Sequence, residues 1–270
     1  MIPVCATCGA WFPDGPPPPT CPICEDERQW VPEDGQRWTT ATSIAADHSA
    51  DVRDVEPGLL GIGLEPSFGI GQRLLVVESP AGNIVWDMIP GVSDEAVAAV
   101  LQRGPVQAIA ISHPHYYTGM SAWSEALGDV PVLLHAADRE HVTRLCGAVE
   151  HWDGDELSLA GGSTLIRLGG HFAGGTVLHW PGGAAGLGVL LTGDIVMVVP
   201  DRTVVSFMWS YPNLLPLPAR EVERIAAALE PWEYDRIYGA WWDRIIRTDA
   251  RGAVRRGVER YLHALERPAI

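Results

Sequence analysis

No stretch of the 270-residue sequence approaches 18 consecutive apolar residues, the length that a membrane-spanning helix needs. The chain also does not open on a basic segment followed by an apolar one, which is the pattern of an export signal. Basic side chains are scarce: 19 Lys and Arg stand against 34 Asp and Glu, and the formal net charge is −15. An acidic surface repels phosphate groups. We therefore predict a cytoplasmic protein that binds neither nucleic acid nor membranes, with its oligomeric state left open.

The composition is that of a globular protein with many turns, since 47% of the residues are apolar, 20% are charged, 29 are Gly and 22 are Pro. Strands in hairpins come first and strands alternating with helices follow, which favours an α/β (α+β) fold with a mixed sheet layered with helices. Strands are predicted at residues 59–64, 73–78, 83–87, 106–111, 130–135, 163–168, 175–180, 188–193 and 236–239. Helices are predicted at 93–101, 121–127, 138–145, 219–229 and 250–265, with a short one within 39–51.

Four of the five cysteines lie in the first 30 residues, as the pairs Cys5-x-x-Cys8 and Cys21-x-x-Cys24. Two such pairs across a short Pro-rich loop are typical of a zinc ribbon, in which four thiolates close the coordination of one structural zinc ion. The pairs resemble those of rubredoxin-type zinc ribbons. Two disulfides are the alternative, and they fit poorly with a reducing cytosol.

The cysteine pairs also suggest how the chain is divided. We predict a zinc-ribbon module at residues 1–36 and a main domain at 37–270. The charged segment 25–36 is predicted to be a linker at the end of the module. Cys146 stands alone on an apolar stretch, where a cysteine is usually a buried hydrophobic residue, and we assign it no chemistry.

A set of candidate metal ligands follows predicted strands. The apolar strand 106–111 runs into His113-Pro-His115, and side chains two apart on an extended chain point the same way. His171 lies in a Gly-rich turn, and Asp194 comes directly after another apolar strand. Neutral imidazole is a common ligand of zinc and iron, and strand ends are where functional groups gather. Three imidazoles and a carboxylate meeting there would form a catalytic-type metal site with a position left for water.

His113-Pro-His115, Gly170-His171 and Thr192-Gly-Asp194 resemble, in sequence and order, three signature elements of the metallo-β-lactamase fold superfamily, and the likeness covers residues 58–265 in outline. The resemblance implies an αββα sandwich with a metal site at one edge of two sheets. It also implies that the three histidines hold the metal and that Asp194 stands for the metal-bridging acid. Members with an acid there include hydroxyacylglutathione hydrolases and other hydrolases of esters, thioesters, lactones or phosphoesters.

The chain departs from that family's pattern at the second metal site. Tyr117 and Thr118 occupy the two positions where the first motif normally continues with Asp-His, and no histidine occurs in 237–243, where the last ligand is expected. Asp243 is a weak candidate to replace a missing ligand. We therefore predict a single ion, zinc or another divalent metal such as iron or manganese, held by His113, His115, His171 and Asp194.

The preferred hypothesis is a hydrolase in which a metal-bound hydroxide attacks a small-molecule ester, thioester or lactone. Asp194 is expected to hold the metal or to orient the water, and Tyr116 or Tyr117 to donate a hydrogen bond to the developing oxyanion. Loops such as 200–218 are expected to choose the substrate. The alternative hypothesis is a catalytically inactive protein of the same fold that binds a ligand or a regulatory partner.

Overall fold

The computed structural model describes residues 1–266 of the chain. Backbone contacts divide the chain into two compact units, Met1–Asp153 and a second that begins at Gly154. Each unit is built around one large sheet. Among the helices of the described residues, none combines the length and the apolar character needed to cross a membrane. The module boundary between residues 36 and 37 lies inside the first unit and stays a prediction.

In the first unit the strands are β1 (Pro3–Cys5), β2 (Trp38–Thr40), β3 (Ser49–Glu56), β4 (Leu59–Glu65), β5 (Leu74–Val77), β6 (Asn83–Trp86), β7 (Val106–Ala110), β8 (Val132–His135) and β9 (Val149–Trp152). Its helices are α1 (Pro22–Glu25), α2 (Ala41–Asp47), α3 (Asp94–Leu101) and α4 (Met120–Ala126), and 3-10 turns cover Pro114–Tyr116 and Ala136–His141. β1 pairs with β2, whereas β3 to β9 form one sheet in chain order. Neighbouring strands in this sheet are antiparallel from β3 to β6 and parallel from β6 to β9.

The crossover through α3 explains where the first histidine motif is delivered. The side chain of Ser93 accepts a hydrogen bond from the backbone N–H of Ala96 at 3.2 Å, which begins the helix. Asp94 and Glu95 in the first turn interact favourably with the helix dipole. A parallel pair of strands needs such a crossover. β6 and β7 therefore end at the same edge of the sheet, and the chain leaves β7 there towards His113.

In the second unit the strands are β10 (Glu156–Ser158), β11 (Thr164–Arg167), β12 (Thr176–Trp180), β13 (Val189–Gly193), β14 (Met197–Val198), β15 (Val205–Ser206), β16 (Arg236–Gly239) and β17 (Ile245–Ile246). Its helices are α5 (Gly183–Gly186), α6 (Ala219–Leu229) and α7 (Ala250–Glu266). The main sheet has the order β10-β11-β12-β13-β16-β17, and β13 is parallel to β16. One apolar cluster joins this sheet to both long helices and includes Val177, Leu190, Ile237, Val222, Ile225, Leu229, Ala253 and Val254.

The elements that carry the predicted ligands agree with the sequence-based expectations. The strand predicted at 106–111 is β7, the strand predicted at 188–193 is β13, and the helix predicted at 219–229 coincides with α6. These segments have long apolar runs or a strong helical period, which are the most reliable local signals.

One predicted helix is wrong in part. The segment 138–145 forms only the 3-10 turn that ends at His141. After this turn the hydroxyl of Thr143 donates to the backbone carbonyl of Trp11 at 2.8 Å, which draws the segment away from a helical path. The short helix expected within 39–51 is confirmed as α2, Ala41–Asp47, and the strand β3 follows it. β3 was missed because it is the edge strand of its sheet and carries charged side chains.

A matched pair of glycine variants would test how closely the turn before β13 packs against the backbone of Glu233. Gly188 and Gly186 both have positive φ, +83° and +89°, so alanine costs about 1–2 kcal/mol of backbone strain at either position. A Cβ at Gly188 would also overlap the backbone carbonyl of Glu233, whereas a Cβ at Gly186 would meet nothing within 4 Å. We expect Gly188→Ala to lower the free energy of unfolding by about 2 kcal/mol more than Gly186→Ala, measured by urea denaturation. Equal losses would contradict this packing.

Candidate metal centres

The four N-terminal cysteines come together as a group of potential metal ligands. Their sulfur atoms all lie within 4.8 Å of one another. The Sγ atoms of Cys5 and Cys24 are 3.5 Å apart, and those of Cys8 and Cys21 are 3.7 Å apart. In a tetrahedral site with Zn–S bonds of about 2.3 Å, the sulfur atoms stand about 3.8 Å apart. All four are free thiols. The residues therefore fit one tetrahedral metal ion and not two disulfides.

Tight backbone turns aim the thiols at one point. The N–H of Gly9, at φ +81°, donates to the carbonyl of Cys5 at 2.9 Å, and the N–H of Cys24 donates to the carbonyl of Cys21 at 3.0 Å. The side-chain amide of Gln36 donates to Sγ of Cys5 at 3.1 Å. Hydrogen bonds among the four sulfur atoms lower the pKa of Cys5 and Cys21 and raise the pKa of Cys8 and Cys24. A metal ion binds such residues as thiolates.

Part of the segment predicted as a charged linker, 25–36, is folded into a partly buried turn at residues 26–29. The guanidinium of Arg28 donates to both carboxylate oxygens of Asp26 at 2.6 Å. The N–H of Gln29 donates to the carbonyl of Asp26 at 2.9 Å. Arg28 and Gln29 are only 8% and 6% exposed. For residues 26–29 the linker prediction was wrong, because Asp26 and Arg28 pair with each other in a turn where Arg28 and Gln29 are buried.

His113 and His115 lie beyond the end of β7, in a turn. His113 has an extended backbone, with φ −169° and ψ 172°, and Pro114 then begins a 3-10 turn that ends at Tyr116. The two buried rings are adjacent, with centroids 5.0 Å apart. The histidines are neighbours as predicted, but the turn brings them together and not the alternation of side chains along a strand.

Both of these imidazoles have a hydrogen-bond partner at Nδ1. The hydroxyl of Ser112 is 3.0 Å from Nδ1 of His113, and the N–H of Ser112 donates to Oδ1 of Asp87 at 2.8 Å. The side-chain amide nitrogen of Gln29 is 3.3 Å from Nδ1 of His115. Such partners fix the orientation of a metal-binding ring. Neither Ser112 nor Gln29 was predicted from the sequence.

The second unit places His171 and Asp194 through its own loops. Gly169 and Gly170 have φ of 61° and 79°, a conformation that glycine adopts without strain, and the turn they form leads into His171. Nδ1 of His171 donates to the backbone carbonyl of Trp209 at 2.6 Å. Nε2 is therefore the atom that this ring offers to a metal. Asp194 follows the last residue of β13 and is buried.

Tyr211, in the aromatic segment of the loop 200–218, contacts both His171 and Asp194. The hydroxyl of Tyr211 donates to the backbone carbonyl of Asp194 at 2.7 Å. The ring of Tyr211 lies 5.6 Å from that of His171, centroid to centroid. Burial, and after it the charge of Asp194, raises the pKa of Tyr211. The sequence suggested only a substrate-selecting role for this loop, and the contacts to His171 and Asp194 were not predicted.

Three of the predicted ligands form a group. His113, His115 and His171 each offer one ring nitrogen, and these atoms all lie within 4.8 Å of one another. All three residues are buried. Three imidazoles are a ligand set of catalytic zinc sites that keep an open position, so these residues fit a divalent metal ion. Asp194 is not a member of this group, and its role as a fourth ligand stays a prediction.

No family model matches the chain. A protein of Bacillus subtilis (strain 168), the uncharacterized protein YmaE, is 42% identical over 265 residues, which are 97% of this chain and 96% of that protein. Such similarity over nearly the whole of both chains places the two in one family.

Comparison with solved structures identifies the fold. TMB-1 is similar with a TM-score of 0.60 at 14% identity, over 81% of this chain and 99% of that one. The DIM-1 metallo-β-lactamase has a TM-score of 0.57 at 16% identity, over 78% and 97% of the chains. The metallo-β-lactamase of Cronobacter sakazakii has a TM-score of 0.51 at 18% identity, over 80% and 96%. The described part of the chain therefore has the metallo-β-lactamase fold. The predicted fold class is thereby confirmed.

Tyr116, Tyr117 and Thr118, which follow the predicted histidine ligands, have environments of their own. Tyr116 and Tyr117 are buried, and the ring of Tyr116 lies 4.4 Å from that of His113. Burial, together with the nearby charge of Asp138, raises the pKa of Tyr117, which therefore keeps its proton at neutral pH. The hydroxyl of Thr118 donates to a backbone carbonyl in the ribbon. The catalytic roles of both tyrosines stay predictions.

Asp243 is the residue that the sequence offered as a replacement for a missing metal ligand. Its carboxylate lies 3.6 Å from the guanidinium of Arg202 and 3.5 Å from that of Arg244, and its side chain is 59% exposed. Two arginine partners at an exposed position favour surface ion pairs over metal binding.

Tyr211→Phe would test the support of Asp194. We expect the free energy of unfolding of the variant to be about 1 kcal/mol lower than that of the wild type at neutral pH, because the backbone carbonyl of Asp194 loses its hydrogen-bond donor. The raised pKa of Tyr211 means that its contribution to stability is present below pH 10 and is lost as the pH rises above it. The variant should therefore lose less stability than the wild type between pH 9 and 11.

Tyr234→Phe is the matched control, since Tyr234 is buried, has a raised pKa and lies in the same unit. Tyr234→Phe should also reduce the stability that is lost between pH 9 and 11. It should leave the free energy of unfolding at neutral pH nearly unchanged. Urea denaturation at each pH gives both numbers. Equal losses at neutral pH for the two variants would contradict the assigned role of the Tyr211 hydroxyl.

Proposed function

We propose that the chain is a metal-dependent hydrolase of a small ester, thioester or lactone, with a single metal ion in its histidine site. The observation that carries this proposal is the group of three buried imidazoles whose ligand atoms lie within 4.8 Å of one another. The similar structures DIM-1 and that of Cronobacter sakazakii are metallo-β-lactamases, which supports a hydrolytic use of this fold.

The side chains around the site have separable roles in this proposal. A bound divalent metal supplies a hydroxide nucleophile at neutral pH by lowering the pKa of its water to about 7. His113 and His171 are each held at Nδ1, by Ser112 and by the carbonyl of Trp209, so that Nε2 is directed to the metal. Asp194 completes the ligand set or orients the water.

The tyrosines supply a hydrogen-bond donor in this proposal. Tyr117 has a raised pKa because it is buried, so its hydroxyl remains a donor at neutral pH. Tyr116 packs edge-on against the ring of His113. A protonated hydroxyl aimed at the substrate carbonyl would stabilise the oxyanion that develops when the nucleophile attacks.

The assignment of a single metal rests on the residues that replace the second ligand set. Tyr117 and Thr118 stand where the superfamily's pattern has Asp-His. Tyrosine ionises only near pH 10 and is a poor ligand at neutral pH. The hydroxyl of Thr118 is directed to the carbonyl of Gly9. These residues are therefore better suited to support the first site than to build a second one.

Metal analysis and a substrate panel test the proposal. The purified wild type should contain about two metal ions per chain, one in each centre, and His171→Ala about one. The variant should hydrolyse the preferred member of an ester, thioester and lactone panel roughly 100-fold more slowly or worse, because an imidazole ligand is missing. Ceftazidime belongs in the panel, since DIM-1 was exposed to it.

His263→Ala is the control, because His263 is exposed on α7. It should retain both the metal content and the rate. Equal metal content in the wild type and in His171→Ala, or equal rates for the two, would contradict the proposal.

A second candidate function is that of a ligand-binding protein with the same metal and no turnover. The observations that favour it are that Tyr117 and Thr118 replace the Asp-His pair of the superfamily's pattern, and that the hydroxyl of Thr118 is bonded to the ribbon. Two bound metal ions combined with no hydrolysis of any panel member would support this function over the hydrolase.

A further inference from the structure

The ribbon contacts the histidine loop, defined as residues 113–118, at two points. Each point lies close to one cysteine pair along the chain: Gly9 follows Cys8 directly, and Gln29 comes after Cys24 and the short helix α1. Both contacts and the loop belong to the first unit. A ribbon whose only role was its own folding would not need a contact at a candidate ligand of the other metal centre.

Gln29 contacts the imidazole of His115. Its amide nitrogen is 3.3 Å from Nδ1 of the ring, and both residues are buried. A side-chain amide contains a donor and an acceptor, so it can partner this ring nitrogen with or without a proton. Gln29 is itself held, because its N–H donates to the carbonyl of Asp26, whose carboxylate is bound by Arg28 through two hydrogen bonds.

Gly9 contacts the end of the same loop. Its carbonyl accepts a hydrogen bond from the hydroxyl of Thr118, while its N–H is fixed by the carbonyl of Cys5 at 2.9 Å. A Cβ on Gly9 would stand 3.4 Å from Pro90 and 3.7 Å from Oγ1 of Thr118. A side chain at this position would therefore be in van der Waals contact with both residues. The position at which the superfamily's pattern has a ligand is here joined to the ribbon.

From these contacts we infer that the ribbon braces the histidine loop, and that Gln29 is a positioning residue that sets the orientation of the His115 ring for metal binding. The inference depends on the proposed function only in that the three histidines hold a metal ion. Partners of this kind fix the ring and the placement of its proton, and their loss lowers metal affinity by about 10–100-fold in known sites.

The test compares the full-length wild type with Gln29→Met, which removes the amide and nearly keeps the length of the side chain. Co²⁺ is titrated into the metal-free protein against a competing chelator. Thiolate and imidazole sites give Co²⁺ different absorption bands because their ligands differ in softness and geometry. We expect Gln29→Met to bind Co²⁺ about 10–100-fold more weakly at the histidine site, with shifted bands there and unchanged thiolate bands.

Gln72→Met is the matched control. Gln72 is also a buried glutamine of the first unit, and its amide donates to the carbonyl of Met88 at 3.0 Å. We expect its affinity for Co²⁺ at the histidine site and its absorption bands to equal those of the wild type. Equal weakening in both variants would overturn the inference, because any lost buried amide would then have the same effect.

The remaining outcomes separate this inference from the proposed function. A wild type that takes up two ions and a Gln29→Met variant that binds them with the same affinity and bands would overturn the inference alone. A wild type that takes up only the ribbon ion would overturn both. Thr118→Val removes the hydroxyl and keeps the side-chain shape, and it should weaken Co²⁺ binding in the same direction. An unchanged affinity would contradict the inference that the contact between Thr118 and Gly9 restrains the histidine loop.

Discussion

The orientation of buried imidazoles is the constraint on which the candidate site depends. A ring buried without a partner for its second nitrogen costs free energy, and a ring that can rotate does not keep its ligand atom in place. Three different groups meet this need at Nδ1: the hydroxyl of Ser112, the amide of Gln29 and the backbone carbonyl of Trp209. The candidate metal ligands are therefore only half of the site. Of their partners, Ser112 is the neighbour of His113, whereas Gln29 and Trp209 come from distant parts of the sequence.

The two halves of the site differ in how far they could be predicted. The cysteine pairs and His113-Pro-His115 could be found because ligand type and close spacing are both visible in the sequence. Gln29 lies among charged residues that are typical of a solvated linker, and only the pairing of Asp26 with Arg28 turns it inwards. The partner of His171 is a main-chain carbonyl, which every residue has, so the sequence contains no signal for it.

The same distinction holds for the fold. β7 and β13 were predicted because an apolar run bounded by glycine, proline or polar residues is a local property. β3 has charged side chains because it is an edge strand, and its place at the edge follows from the pairing of the whole sheet. The segment after His141 has the composition of a helix, but Thr143 bonds to Trp11, more than 100 residues away in the sequence. Tertiary contacts thus overrule local preference where they replace the hydrogen bonds of a helix.

The closed four-cysteine centre gives the ribbon a particular place in this arrangement. A metal ion bound by four thiolates has no open position and contributes its binding free energy to folding. An ion held by the four thiolates would restrain the backbone of Gly9, next to Cys8, and the turn that contains Gln29, after Cys24. The loop that carries His113 and His115 needs less ordering when it binds an ion, which raises affinity without an additional ligand. A second metal ion would also restrain this loop. In the superfamily's pattern, however, that ion needs ligands at positions 117 and 118, where this chain has tyrosine and threonine. Contacts with the ribbon supply the same restraint through a hydroxyl and an amide, at residues that need not bind a metal themselves.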